Sequence, residues 1–377
     1  MGALLPNIDP DGLLEYSVVF TDRSLNHMSK SFQTVMNDIS RGLKSAYNAS
    51  SVVVIPGGGT FGMEAIARQF ASDKKCLVIR NGWFSYRWSQ ILDQGKIASE
   101  TTVIKASRDQ KNKESAFSPA EIKKVVNQIK SSKPDIVFAP HVETSAGMLI
   151  PDHYLEQVAE AIHSVGGIFV LDCVASGALW VDMKKTGVDV LLSAPQKGWS
   201  SSPCSGLVML SDTASTLIRE TKSSSYVCDL LKWLQIMEAY ENGGHAYHST
   251  MPTDSLAKFR DTLVETEEYG FEKTRQEQIE LGEKVRNLLE MKGFKSVAAE
   301  GFQAPSVVVS YTDDPDIKSG KIFMEQGLQI AAGVPLECDE GEHFMTFRIG
   351  LFGLDKLHNV ERTVNHLKTA MDIIRPN

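Results

Sequence analysis

The chain has 377 residues, of which 42% are hydrophobic and 23% charged, an ordinary composition for a globular protein. That length exceeds one average domain and suits a large α/β domain joined to a smaller one. A formal net charge of −8 argues against a nucleic-acid partner, and no run of about 18 apolar residues supplies a membrane span.

Met1-Gly2-Ala3-Leu4-Leu5-Pro6 is neither a basic signal peptide nor a myristoylation site, because Pro6 stands where Ser or Thr is needed. The five cysteines are scattered and form no CxxC pair. This pattern points to a reducing compartment, and so to a cytoplasmic protein. Leu13 to Phe20 reads as an arm lying over another surface. Ser31 to Ala46 carries Phe32, Val35, Met36, Ile39 and Leu43 at helical spacing and predicts an amphipathic helix.

Ser51 to Ile55 reads as a buried strand. Pro56-Gly57-Gly58-Gly59-Thr60-Phe61-Gly62 follows, and a helix is predicted over Met63 to Phe70. Strand, glycine loop and helix start together form an anion site, since free amides point outward and missing side chains let a phosphate approach. Gly57, Gly59 and Gly62 also fit the dinucleotide fingerprint GxGxxG. That fold wants an acid after the second strand, yet Cys76 to Arg80 runs into Arg80-Asn81-Gly82. An arginine there weakens a NAD reading and suits NADP.

Asn81 to Trp88 is dense in aromatics, one of which can stack on a flat heteroaromatic ring. Thr101 to Lys105 and Pro134 to Ala139 read as further strands around a helix over Glu121 to Lys130. His141-Val142-Glu143-Thr144-Ser145-Ala146-Gly147 is a polar cluster after a strand. Ile168 to Leu171 is an apolar strand ending in the carboxylate of Asp172. Val188 to Leu192 is another, and Lys197 follows it in a turn rich in Gly, Ser and Pro. A strand-end lysine among apolar neighbours has a lowered pKa and serves as an amine nucleophile. A Schiff-base lysine with an aspartate for a pyridinium nitrogen is the pairing that pyridoxal phosphate requires. Gly206 to Leu210 is a last strand, and the alternation from 51 to 210 predicts a mostly parallel sheet with helices on both faces.

Residues 226–242 read as a helix and Gly243 to Pro252 as an extended loop. His245 and His248 form an HxxH, but no further ligand has metal spacing nearby, so no metal is expected. From about Phe271 a long polar helix leads to short strands such as Ser306 to Ser310, and Val360 to Ile374 is a terminal helix. Arg348 sits inside the apolar run Phe347 to Phe352, where a guanidinium is costly unless it meets an anion. A boundary falls near 268, giving an arm (1–20), a large domain (21–268) and a smaller α+β domain (269–377).

These residues resemble the class V aminotransferases of the pyridoxal-phosphate fold-type I superfamily, especially the alanine–glyoxylate and serine–pyruvate group. The resemblance runs from about residue 30 to the C-terminus, with separated motifs in the expected order. It implies a large α/β domain with a mostly parallel seven-stranded sheet and a smaller C-terminal domain. It also implies pyridoxal 5′-phosphate as cofactor, and transfer of an amino group from a small amino acid to a 2-oxo acid such as glyoxylate or pyruvate.

Carried over by position, Lys197 would bind the cofactor and shuttle the α-proton, and Asp172 would pair with the ring nitrogen. Val174 and Phe84 would cover the two ring faces. Gly58, Gly59, Thr60 and Gln196 would hold the phosphate, and Thr144 would lie on the side of the phenolic oxygen. Tyr247 and Thr250 match residues that reach the phosphate of a neighbouring subunit, which implies a homodimer with shared active sites. Arg348 would clamp the substrate carboxylate.

The chain departs from the family in several places. The glycine- and proline-rich entry loop is not evident over residues 10–25, Phe84 replaces a larger aromatic, and Gly59 stands where a polar side chain occurs in others. Trp199 and the serines at 200–202 also differ. A lyase or cysteine desulfurase on the same fold is the alternative. Desulfurases usually carry histidine before the lysine, where Gln196 stands, and their mobile cysteine would have to be Cys338. A non-catalytic binding protein on this scaffold is a further reading, opposed by the joint presence of Lys197, Asp172 and Arg348. A NADP-dependent oxidoreductase comes last.

Overall fold

The computed structural model describes residues 13–376, so Met1 to Pro6 and most of the expected arm lie outside the described residues. Seven short strands, most of them apolar runs, pair into one sheet. In spatial order its strands are Ser51–Pro56, Ser205–Leu210, Val190–Ser193, Ile168–Asp172, Ile136–Pro140, Lys75–Arg80 and Glu100–Lys105. Ser205–Leu210 runs antiparallel to both of its neighbours, and the remaining pairs are parallel. Val52 to Ile55, Phe138, Phe169 to Leu171 and Val190 to Leu192 are all buried. Burial on both faces explains why these strands read as continuous apolar runs and not as alternation.

Because the parallel strands share a direction, the turns after Pro56, Arg80, Pro140, Asp172 and Ser193 gather at one edge of the sheet. In open α/β sheets this carboxyl edge is where ligands bind. Every strand-end motif singled out above lies there.

The helix Lys30–Tyr47 is capped by Ser29, whose hydroxyl accepts the Phe32 N–H, and it buries Phe32, Val35, Met36, Ile39 and Leu43. Two helices begin earlier than the sequence reading placed them or where it assigned no element. One spans Gly59–Phe70 with Gly58 as its N-cap, so the glycines are its first turn. The other spans Trp83–Gln94, and the aromatic cluster lies on it. The reading of 226–242 shortens to Leu230–Glu241, because the Asp229 side chain accepts the Lys232 N–H and starts the helix there. Thr253–Tyr269 is also helical, although the sequence reading left it unassigned.

Beyond Gly270 the helix Phe271–Met291 packs with the terminal helix Val360–Ile374 against a three-stranded antiparallel sheet. That sheet is built from Val307–Tyr311, Thr346–Gly350 and the two-residue Ala331–Ala332. Its apolar cluster includes Leu281, Val285, Phe294, Phe323, Phe347 and Met371 and is separate from the cluster around the large sheet. Specific polar contacts join the two regions beside the sheet edge. Ser306 Oγ donates to the Ala175 carbonyl at 2.8 Å, and the Leu354 N–H donates to Ser200 Oγ at 2.7 Å.

Trp199, two residues after the lysine, is buried. Its ring lies 4.4 Å from that of Trp180 and meets Phe259 and Phe271 edge-on. The unusual tryptophan is therefore a packing residue that ties the lysine turn to both halves of the chain. Among the described residues no helix is long and apolar enough to cross a membrane.

Candidate active site

A cleft of about 190 Å³ opens at the carboxyl edge of the large sheet, and Lys197 and Asp172 both line it. Gly59, Thr60, Phe84, Thr144, Val174 and Gln196 line it too. Gly58 stands just outside as the cap of the helix that begins at Gly59. A larger cavity of about 450 Å³ lies between His141, Trp180 and Arg286 and contains neither Lys197 nor Asp172. The smaller cleft is the candidate site, because an amine, a carboxylate and the N-terminus of a helix meet there.

Burial lowers the Lys197 pKa, the Asp172 carboxylate opposes that shift, and Arg348 and Arg87 add to it. The lysine's Nζ lies 5.1 Å from the centre of the Phe352 ring. Burial raises the Asp172 carboxyl to about 6 against the 3.8 of a free side chain, while its bond from the Val174 N–H, at 2.9 Å, pulls the other way. Glu143 raises it further, and Arg87 and Lys197 lower it. A buried acid in this position is suited to a partner that brings a positive N–H.

Phe84 is placed by a carboxylate distant in sequence. Glu143 is fully buried, and it accepts five hydrogen bonds, from the main-chain N–H groups of Phe84, Ser85 and Ser145 and from the hydroxyls of Ser85 and Ser145. An anion satisfying the free amides of a helix start is favourable there. It adds to the local bonds that Ser85 Oγ accepts from the Asn81 and Gly82 N–H groups at the same helix start.

Arg348 does not line the cleft but stands beside it on Thr346–Gly350, with its Nε donating to the Ala332 carbonyl at 2.8 Å and its guanidinium 5.7 Å from the Phe84 ring centre. Burial lowers its pKa and Glu143 opposes the shift. That carboxylate is already engaged by its five donors, so the guanidinium remains open to an external anion.

The sequence reading missed Arg87, which lines the cleft. It follows Phe84 by about one helical turn, a relation legible only once that stretch is known to be helical.

Tyr247 and Thr250 are not among the residues lining the cleft. They bond to each other, hydroxyl to hydroxyl, at 3.2 Å, and Tyr247 is exposed. His248 Nε2 is 2.7 Å from the Tyr226 carbonyl oxygen, and among the described residues no cluster of three or more ligand-type side chains could hold a metal. Cys338 is buried, with Sγ 3.5 Å from the Arg80 carbonyl, and burial pushes its thiol up to about 12. Its burial against that carbonyl does not present it as the exposed, reactive thiol that a desulfurase reading would need.

The family model for class V aminotransferases matches residues 13–341. The chain belongs to the class V aminotransferases. It is 25% identical to an alanine–glyoxylate aminotransferase of Oryctolagus cuniculus over 92% of this chain and 86% of that protein. It is 26% identical to a 2-aminoethylphosphonate–pyruvate transaminase of Vibrio parahaemolyticus, over 87% of this chain and 86% of that one. The crystal structure of an alanine–glyoxylate aminotransferase from a Nostoc species superposes with a TM-score of 0.78 at 20% identity, covering 92% of this chain and 88% of that one. This class V aminotransferase is thus a pyridoxal-phosphate-dependent enzyme of fold type I.

The cleft fits that cofactor on its own geometry. A Cβ at position 59 would fall 2.9 Å from Val174 Cγ2, so the glycine keeps open a space that a side chain would close. The helix N-terminus, the lysine amine and the buried acid form a donor set suited to a phosphate, an aldehyde and a ring nitrogen respectively.

Proposed function

We propose that this aminotransferase moves the amino group of a small amino acid to a 2-oxo acid such as glyoxylate or pyruvate. The observation that carries the reading is a lysine of lowered pKa in one cleft with a buried acid, beside an arginine that faces no free carboxylate.

Pyridoxal phosphate, when bound, supplies the electron sink for cleavage of a bond at the substrate's α-carbon. Asp172 holds the positive charge of the ring nitrogen by giving it a buried carboxylate partner. Lys197, as a neutral amine, takes the α-proton and returns it, and the burial that lowers its pKa favours that neutral form. Val174 and Phe84 would cover the two faces of the ring, and Thr144 would lie on the side of the phenolic oxygen. Gly58, Gly59, Thr60 and Gln196 would hold the phosphate. Arg348 orients the substrate carboxylate by a two-pronged bond.

Tyr247 and Thr250 act in the reading as contributions to the neighbouring subunit's phosphate pocket, which makes the active unit a homodimer. Their exposure, and the fact that neither lines the cleft of its own chain, support it. The exposed apolar side chains of Leu13, Leu14, Tyr16 and Val18 suit an arm that covers the partner. Gly270, with φ of 104° between two helices, suits a division into large and small domains near 268. A cytoplasmic location accords with cysteines that are all free.

A screen of amino donors against glyoxylate and pyruvate, following both products, tests the reading. Amino transfer from alanine or serine that requires an acceptor is expected. Release of ammonia without any acceptor would make the enzyme a lyase.

A further inference from the structure

The cofactor's phosphate carries a charge of about −1.5 to −2 near neutral pH. The groups assigned to it so far in this chain are a helix N-terminus, a hydroxyl and an amide. A helix N-terminus offers the equivalent of about half a positive charge, and the hydroxyl and amide offer none. Lys197 and Arg348 are committed elsewhere, to the cofactor's aldehyde and the substrate's carboxylate. The chain as a whole adds −8. A dianion bound by these groups alone would lack a counter-charge.

Arg87 lines the same cleft. Its Nη1 donates to Thr60 Oγ1 at 3.0 Å, in the first turn of the helix that begins at Gly59. A hydroxyl oxygen that accepts from arginine keeps its own hydrogen free to donate onward. The guanidinium also lies 5.2 Å from the centre of the Phe84 ring, a contact that holds it beside the cleft. Thr60 is its single hydrogen-bond partner among the described residues, which leaves most of its five donors for a ligand.

We infer that Arg87 is the cation of the cofactor-phosphate site, binding the phosphate directly and orienting the Thr60 hydroxyl toward it. The inference rests on the pyridoxal-phosphate reading of the cleft. It assigns Arg87 to the phosphate, and leaves the substrate's carboxylate to Arg348.

The test is titration of cofactor-free protein with pyridoxal phosphate and, separately, with pyridoxal, followed by visible absorbance. Wild type, Arg87→Lys and Arg87→Gln are compared. Loss of a charge-assisted hydrogen bond weakens binding by about 10- to 100-fold. Arg87→Gln should lose that much affinity for pyridoxal phosphate and none for pyridoxal, and Arg87→Lys should recover part of the loss. Inorganic phosphate should compete with the cofactor in wild type and less well in Arg87→Gln. Wild-type affinity for pyridoxal phosphate in Arg87→Gln would overturn the assignment. So would an equal loss for both ligands, which would mark Arg87 as a general structural support. If wild type takes up neither ligand, the pyridoxal-phosphate reading itself fails.

Discussion

The main-chain N–H of Phe84 donates to Glu143 Oε1 at 3.2 Å, joining the aromatic of the cleft to a carboxylate 59 residues away. The same carboxylate accepts four further bonds from Ser85 and Ser145. Glu143→Ala would leave buried donors without an acceptor, at about 1–3 kcal/mol for each that water cannot reach. We expect a net loss of roughly 3 kcal/mol in urea unfolding, together with weaker cofactor binding as Phe84 loses its anchor. An unchanged unfolding midpoint would show that the carboxylate is dispensable.

Gly198 follows the lysine directly, and a Cβ there would fall 2.2 Å from the Gly177 carbonyl oxygen. The obstacle is backbone, so it does not rotate away. Gly198→Ala should displace the lysine turn and cost about 1–3 kcal/mol. Its activity should fall more than its stability, since a small misplacement of a reacting group is expensive in rate. Parallel measurement of unfolding and kcat separates the two effects.

The raised pKa of Asp172 has a definite sign in stability. Its folded value of about 6 lies above the 3.8 of the free side chain. The folded state therefore binds the proton more tightly, and stability is lost as pH rises from about 4 through 6. At 1.36 kcal/mol per pH unit the loss is about 3 kcal/mol at neutral pH. In cofactor-free protein, Asp172→Asn should raise stability by up to that amount at pH 7 and by little below pH 4. With cofactor bound the same change should weaken the complex, because the ring nitrogen loses its anionic partner. Denaturation curves at both pH values, with and without cofactor, check both signs.

Arg348→Ala should raise KM for carboxylate substrates by about 10- to 100-fold and leave cofactor affinity intact. Steady-state kinetics with alanine as donor, alongside cofactor titration, measure this. Unchanged kinetics would place Arg348 outside the substrate site.

The large sheet was legible because a parallel sheet buried on both faces writes itself as apolar runs closed by turn residues. Lys197 and Asp172 were legible for a related reason, since each polar group stands where such a run ends. The helix Trp83–Gln94 was not, because its N-cap is Gly82, which has no side chain to signal a start, and the amides of Phe84 and Ser85 are satisfied by Glu143 from far along the chain. Arg87 was lost with it. The first turn at Gly59 was hidden for a different reason, since three successive glycines read as a loop and helix propensity disfavours them. Tyr247 and Thr250 lay in a stretch whose motif was readable, yet one chain does not bring them to its own cleft.

The amine at position 197 is expected to be the group that holds the cofactor. Borohydride treatment of the cofactor-loaded enzyme, followed by proteolysis and peptide mass analysis, reads that bond directly. A phosphopyridoxyl mass on the peptide containing Lys197, absent from Lys197→Ala, is the predicted result. Label on another lysine, or no label on protein that has taken up cofactor, would contradict it.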